Sequence, residues 1–376
     1  MLPAQSLAAR SLALARSHDR EGAQVTLDAS VATSSAGLVV PPLGDSLRAG
    51  AATGVGSLPH RSVHDAAAFA LREYDVPAIP SLPRRSPAEA MIAQAVVGLN
   101  GVTLGQYGSI AVDAHALDPC APVATDLGND AFAGMRTFLA VAAARGLRGP
   151  LKWQFVGPVT LGVALARAGA DAVTAFAVAG RAVRAHITAI ARAVATSLPD
   201  SPQIVLLDEP WFGGLMSEGF PIAPDPAIDL LSGAMAAVEP VATVGVHCCA
   251  EVDVVSLLAA GPAVLSVPVR EELAGVAGYL VRFLEGGGRI AWGAVGTDGP
   301  IPTSNERPWR QLSDVWCALV ERGCDPVLLR QRSLVTPQCG LGLHTPAVAD
   351  RVCRIAREIG RRVNEQAVAS RFALGA

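Results

Sequence analysis

The sequence predicts an α/β protein built as a (β/α)8 TIM barrel, and three observations carry that prediction. Short apolar runs alternate with helical patterns from about residue 50 onward, as in a parallel sheet with helical crossovers. The run Gln203-Ile204-Val205-Leu206-Leu207 is apolar almost throughout, as suits a parallel strand buried on both faces, and it ends in Asp208-Glu209-Pro210. About eight strand–helix units fit a chain of 376 residues, since a barrel of this kind takes ~250 residues plus insertions. A doubly wound open sheet is the alternative architecture. No strand carries a dinucleotide-type glycine fingerprint, and there is no phosphate-loop motif.

Bulk composition narrows the partners. Hydrophobic residues make up 51% of the chain, enough for a large core. The net charge of −3, without a basic stripe interleaved with aromatics, predicts no nucleic-acid partner and no anionic membrane surface. No apolar run is long enough to span a bilayer. The seven cysteines are odd in number and irregularly spaced, which argues against a disulfide framework and for a reducing, cytoplasmic setting. Cys317, Cys324 and Cys353 fall in or beside helical patterns and read as packing residues.

Residues 1–48 read as a poorly ordered N-terminal extension, and 49–376 as one barrel. Met1 to Ser17 is rich in Ala, Leu, Ser and Arg, with no acid before Asp19, a composition shared with transit peptides. The glycines and proline of Thr53-Gly54-Val55-Gly56-Ser57-Leu58-Pro59 then mark a tight backbone that can approach a ligand closely. A helix follows over Ser62 to Tyr74, with Ser62 as N-cap. Val76 to Pro80 is a strand cut by prolines, and Ser86-Pro87-Ala88-Glu89 has the residues of a capping box. Residues 100–130 are strand and loop. Helical patterns cover Phe132 to Arg145, Asp171 to Ser197, Ala227 to Val238, Val254 to Ala260, Leu273 to Leu284, Trp309 to Arg322 and Pro346 to Val368. Strands end at Ser57, Val156, Asp208, His247, Val267, Val295 and Thr336, with at least one more between Val76 and Ile110; Gly157 to Leu161 reads as a loop.

Two stretches carry chemistry. Val244-Gly245-Val246-His247-Cys248-Cys249 is an apolar strand running into His247 and Cys249. Side chains on a strand alternate faces, so His247 and Cys249 point one way and Cys248 the other. A nitrogen and a sulfur donor on one face form half a zinc site, and Cys339, after the run Ser333 to Thr336, would supply a second thiolate. The bland alternative is a satisfied core histidine beside small buried cysteines. In a barrel all strands deliver their carboxyl ends to one face, which brings Ser57, Asp208, His247, Cys249 and Cys339 together. His60, His64, His115 and His344 are weaker candidates for the barrel mouth. Arg84 and Arg85 would suit carboxylate substrates if the site held no metal.

These pieces, in this order, resemble the catalytic barrel of cobalamin-independent methionine synthase, in the superfamily shared with uroporphyrinogen decarboxylase. The match runs over about residues 50 to 365. It rests on Thr53 to Pro59, Lys152 to Gly162 with Gly157-Pro158-Val159-Thr160, Asp208-Glu209-Pro210, His247-Cys248-Cys249, and Pro337-Gln338-Cys339-Gly340-Leu341. The resemblance implies a catalytic zinc held by His247, Cys249 and Cys339, and a thiol substrate, homocysteine in the family. It implies that Asp208 grips the substrate amine and that Val55, Gly56 and Ser57 hold its carboxylate. The expected partners are the small-molecule thiol and a methyl donor, with a methyl-carrier protein as a further candidate.

The chemistry is coherent. A thiol with pKa near about 8.5 is mostly protonated at neutral pH, and zinc favours the nucleophilic thiolate. The sequence also departs from the family. There is no room for the second, N-terminal barrel of the methionine synthases. The family's fourth zinc ligand, a glutamate, falls at Val267 or Pro268, with Glu271 and Glu272 nearby. The family's proton-delivering histidine is absent from Gly296-Thr297-Asp298-Gly299, where Asp298 is the substitute. A metal-free decarboxylase-like barrel and a non-catalytic ligand-binding paralogue are the alternative functions.

Overall fold

In a computed structural model, residues 47–373 are described; residues 1–46, most of the expected extension, lie outside them. The elements in chain order are β1 (Ala51–Ala52), α1 (Val63–Glu73), α2 (Met91–Ala95), β2 (Val102–Leu104), β3 (Ile110–Val112), α3 (Ala133–Ala144), β4 (Leu151–Val156), α4 (Pro158–Arg167), α5 (Ala172–Ser197) and β5 (Gln203–Asp208). They continue with α6 (Pro224–Met235), β6 (Thr243–His247), α7 (Val254–Ala259), β7 (Val264–Pro268), α8 (Ala277–Glu285), β8 (Arg289–Val295), α9 (Glu306–Glu321), α10 (Pro326–Gln331), β9 (Ser333–Pro337) and α11 (Pro346–Ala373). Seven strands form one parallel sheet in the order β1-β9-β8-β7-β6-β5-β4, and β2 pairs with β3 in a separate antiparallel hairpin.

Between the sheet's two edges, β1 and β4, runs the segment 76–81. Isolated parallel bridges join Thr53 to Val76, Ser57 to Ser81, and Ala78 to Lys152. The Val76 N–H donates to Ala52 O at 3.1 Å, and Ile79 N–H donates to Lys152 O at 2.8 Å. Pro77 and Pro80 have no N–H to give, which keeps this segment from forming a continuous ladder. The parallel α/β architecture is as expected, with seven strands in the main sheet and bridges alone where an eighth was expected.

Strand alternation sorts the core. Val205 and Leu207 of β5 join the large apolar cluster under the helices, while Ile204 and Leu206 belong to a second, small cluster with Leu47, Ala51, Val76, Val264, Ala291 and Leu334. The strand residues of that second cluster share the sheet face that carries Asp208, below the strand ends that carry the polar residues. Among the described residues no helix is long and apolar enough to cross a membrane.

Local sequence was misleading at several points. Gly157 to Leu161, expected as a loop, begins helix α4. Gly157 supplies no side-chain cap; the Val159 and Thr160 N–H groups instead donate to the two carboxylate oxygens of Glu209, at 2.8 and 2.7 Å. That cap lies about fifty residues away in sequence, beyond any local signal. Ser62 does cap α1, accepting from Asp65 N–H at 3.2 Å. Ser86 caps only a short 3-10 turn, Pro87–Glu89, and the buried Glu89 closes no capping box. Its carboxylate accepts from Leu82 N–H at 2.9 Å and Arg85 Nε at 2.6 Å. Cys324 and Cys353 are buried as expected, but Cys317 is exposed.

Glu209→Ala would leave two buried N–H groups at the start of α4 without acceptors. The expected result is a loss of about 2–3 kcal/mol of stability by urea denaturation.

Candidate metal centre

Strands β5 and β6 pair with Asp208 opposite His247, and β6 and β7 with His247 opposite Ser266. His247 is buried and points inward, Cys248 is buried on the opposite face within the large apolar cluster, and Cys249 returns to the site half-buried. Cys339, also half-buried, follows the end of β9. One ligand atom each from His247, Cys249 and Cys339 lies within 4.8 Å of the others.

His247 Nδ1 sits 2.9 Å from Ser266 Oγ, while Nε2 is buried with no hydrogen-bond partner. In the tautomer that donates Nδ1–H to the serine hydroxyl, the unpartnered Nε2 carries a free lone pair. A buried polar atom is normally paired, and a ring held by one nitrogen while the other is bare is the arrangement of a metal-ligating histidine. One nitrogen and two sulfurs fit zinc. Hydrogen bonding from Cys339 holds the Cys249 thiol below its ordinary range, and the same contact pushes Cys339 up.

The trio shares a cleft of about 400 Å³ with Val55, Ser57 and Asp208. Gly56 has φ +150, and a Cβ there would lie 1.9 Å from the Gln154 amide carbon, so the loop needs glycine to pass the side chain of Gln154. Leu341 N–H donates to Ser57 O at 2.9 Å, and Gly342 N–H to Ser57 Oγ at 3.1 Å, which ties the Ser57 loop to the segment carrying Cys339. Asp208 Oδ1 is buried without a partner. Burial raises the Asp208 pKa, and the charges of His247 and Lys152 oppose that rise.

Other sequence candidates fall elsewhere. Val267 and Pro268 are buried and apolar, and Glu271 and Glu272 are exposed; neither acid belongs to the trio. Asp298 is exposed beyond β8 and does not line the cleft. His60 packs on Phe69 with ring centres 4.8 Å apart, and His64 and His115 are exposed. None of these histidines, nor His344, lines the cleft. Arg85 is paired with Glu89 and Asp130, and Arg84 donates to Leu343 O, so both arginines are engaged within the chain.

Lys152 was not singled out. It is fully buried on β4, donating from Nζ to Val55 O and, at 2.9 Å, to Gln154 Oε1. Burial brings its pKa down to about 8, against the charge of Asp208, which raises it. A signal was available: of the thirty Lys and Arg residues in the chain, this is the single lysine.

The fold and this site together define a candidate metal centre at the carboxyl ends of a parallel sheet. Among solved structures, a B12-independent methionine synthase from Shewanella sp. W3-18-1 in complex with selenomethionine is similar, with a TM-score of 0.51 and 14% identity, covering 84% of this chain and 98% of that one. At that identity the likeness shows the fold. No family model matches the sequence, and no curated protein matches it.

Cys249→Ser and Cys339→Ser are each expected to lose stoichiometric zinc by elemental analysis. Ser266→Ala, which frees the ring without removing a ligand, is expected to weaken zinc about 10- to 100-fold in competition with a chromophoric chelator.

Proposed function

We propose that this chain is a zinc-dependent methyltransferase of the methionine-synthase type, acting on a small thiol. In this proposal residues 49–376 form one barrel, with the segment 76–81 as its eighth strand position. The observation that carries it is the convergence of His247, Cys249 and Cys339 within 4.8 Å, in a cleft that also holds Ser57 and Asp208. The bare Nε2 of His247 and the likeness in fold to a methionine synthase support the same function.

His247, Cys249 and Cys339 would hold the ion. Zinc, when bound there, would supply Lewis acidity that favours the ionised form of a thiol at neutral pH. The chain's own residues do the rest. Ser57 is held in place by its bonds with Leu341 and Gly342, and the Val55–Ser57 loop receives the substrate carboxylate. Asp208 faces the cleft with an unused oxygen and accepts a charge-assisted hydrogen bond from an ammonium group. The reaction forms a bond between the substrate sulfur and the methyl carbon. The bond between that carbon and its carrier atom breaks, and its electron pair leaves with the carrier. Asp298 lies outside the cleft and is assigned no proton transfer.

The test is purified protein assayed for zinc and then for methyl transfer to L-homocysteine from methyltetrahydrofolate or methylcobalamin. About one zinc per chain and methionine formed from at least one donor, abolished in Cys339→Ser, is the expected outcome. Zinc without transfer from either donor would instead mark a binding protein, and absence of zinc a metal-free barrel.

A further inference from the structure

The chain uses arginine for all of its basic residues except one, and that one lysine is buried beneath the cleft. It stands on β4, on the edge that faces the bridging segment 76–81. Two of its three ammonium hydrogens have partners, Val55 O and Gln154 Oε1. Gln154 is itself held, donating from Nε2 to Ile79 O at 3.2 Å. Val55 and Gln154 both line the cleft, so the lysine fastens two of its walls. A compact ammonium suits a closed slot with two oxygen acceptors; the planar fork of an arginine does not.

The second observation is the charge opposite. Asp208 lines the same cleft with a buried, unpartnered oxygen, and it and Lys152 act on one another electrostatically. A buried charge is costly unless compensated, and here an anion lines the cleft while a cation sits behind the wall formed by Val55 and Gln154. The complement of such a cleft is a molecule with a carboxylate at one end and an ammonium at the other.

Building on the thiol-substrate proposal above, we propose that Lys152 is a positioning and specificity residue. It fixes the Val55–Ser57 loop and supplies the positive charge that makes the loop select a thiol carrying an α-carboxylate, while Asp208 meets the α-ammonium. Lys152 acts through Val55 and Gln154 rather than by touching substrate.

The test is calorimetric titration of the zinc-loaded protein with L-homocysteine and with 3-mercaptopropan-1-amine, the same thiol without its carboxylate. The proteins compared are wild type, Lys152→Met and Lys152→Gln. Wild type is expected to prefer homocysteine. Lys152→Met is expected to keep its zinc and its affinity for the amine, while its Kd for homocysteine rises roughly 10- to 100-fold. Lys152→Gln, which keeps a donor for Val55 O but not the charge, is expected to lose the same preference, and it carries the comparison if Lys152→Met does not fold. Equal weakening for both thiols, or a preference unchanged from wild type, overturns the role of Lys152 and leaves the thiol proposal standing. A wild-type protein that binds neither thiol overturns the thiol proposal, and the role of Lys152 with it.

Discussion

Parallel pairing from β4 round to β1 is the constraint on which the rest of this molecule depends. Parallel strands all finish on the same side, so whatever follows their last apolar residue gathers there. Alternation then divides each strand between two environments. On β5, Val205 and Leu207 join the large apolar cluster, while Ile204 and Leu206 take the opposite face and Asp208 stands above them at the strand's end. On β6 the same rule turns His247 inward and Cys248 outward. Cys339 arrives from a strand that is distant in sequence but belongs to the same sheet.

The buried ionisable groups near this rim are handled in different ways. Glu89 is paired with Arg85 and a backbone N–H. Glu209 is spent on the N-terminus of α4, where two N–H groups partly offset the burial that lifts its pKa to about 7. Lys152 is satisfied by neutral oxygens. Asp208 keeps an oxygen with no partner, and the His247 ring nitrogen beside the thiols is likewise bare. A folded chain leaves such atoms unsatisfied at a cost, so these two, which belong to residues lining the cleft, are where a ligand has most to offer.

What could be read from the sequence follows from these rules. The β5 run was legible because both faces of a parallel strand are apolar, and His247 with Cys249 because alternation needs no tertiary knowledge. Position along the chain also predicted that Cys339 would meet them, since strand ends converge. Features set by distant partners were not legible. Helix α4 hides behind Gly157 because its cap comes from Glu209, and the apparent capping box at Ser86 fails because Glu89 turns toward Leu82 and Arg85. The strand expected at Val76 to Pro80 survives only as bridges, since its prolines leave gaps in the ladder. Lys152 was not legible because its acceptors, Val55 O in particular, lie far off in the chain, though its solitude in the composition set it apart.

The bonds from Leu341 and Gly342 to Ser57 join distant parts of the chain, the second across 285 positions. Cys339 lies two residues before the first of these donors. One short stretch of backbone therefore carries both the Cys339 thiol and the two donors that hold the serine. The first and last strands of the chain pair with one another, and these bonds fasten the segments that follow them, like the clasp of a bracelet.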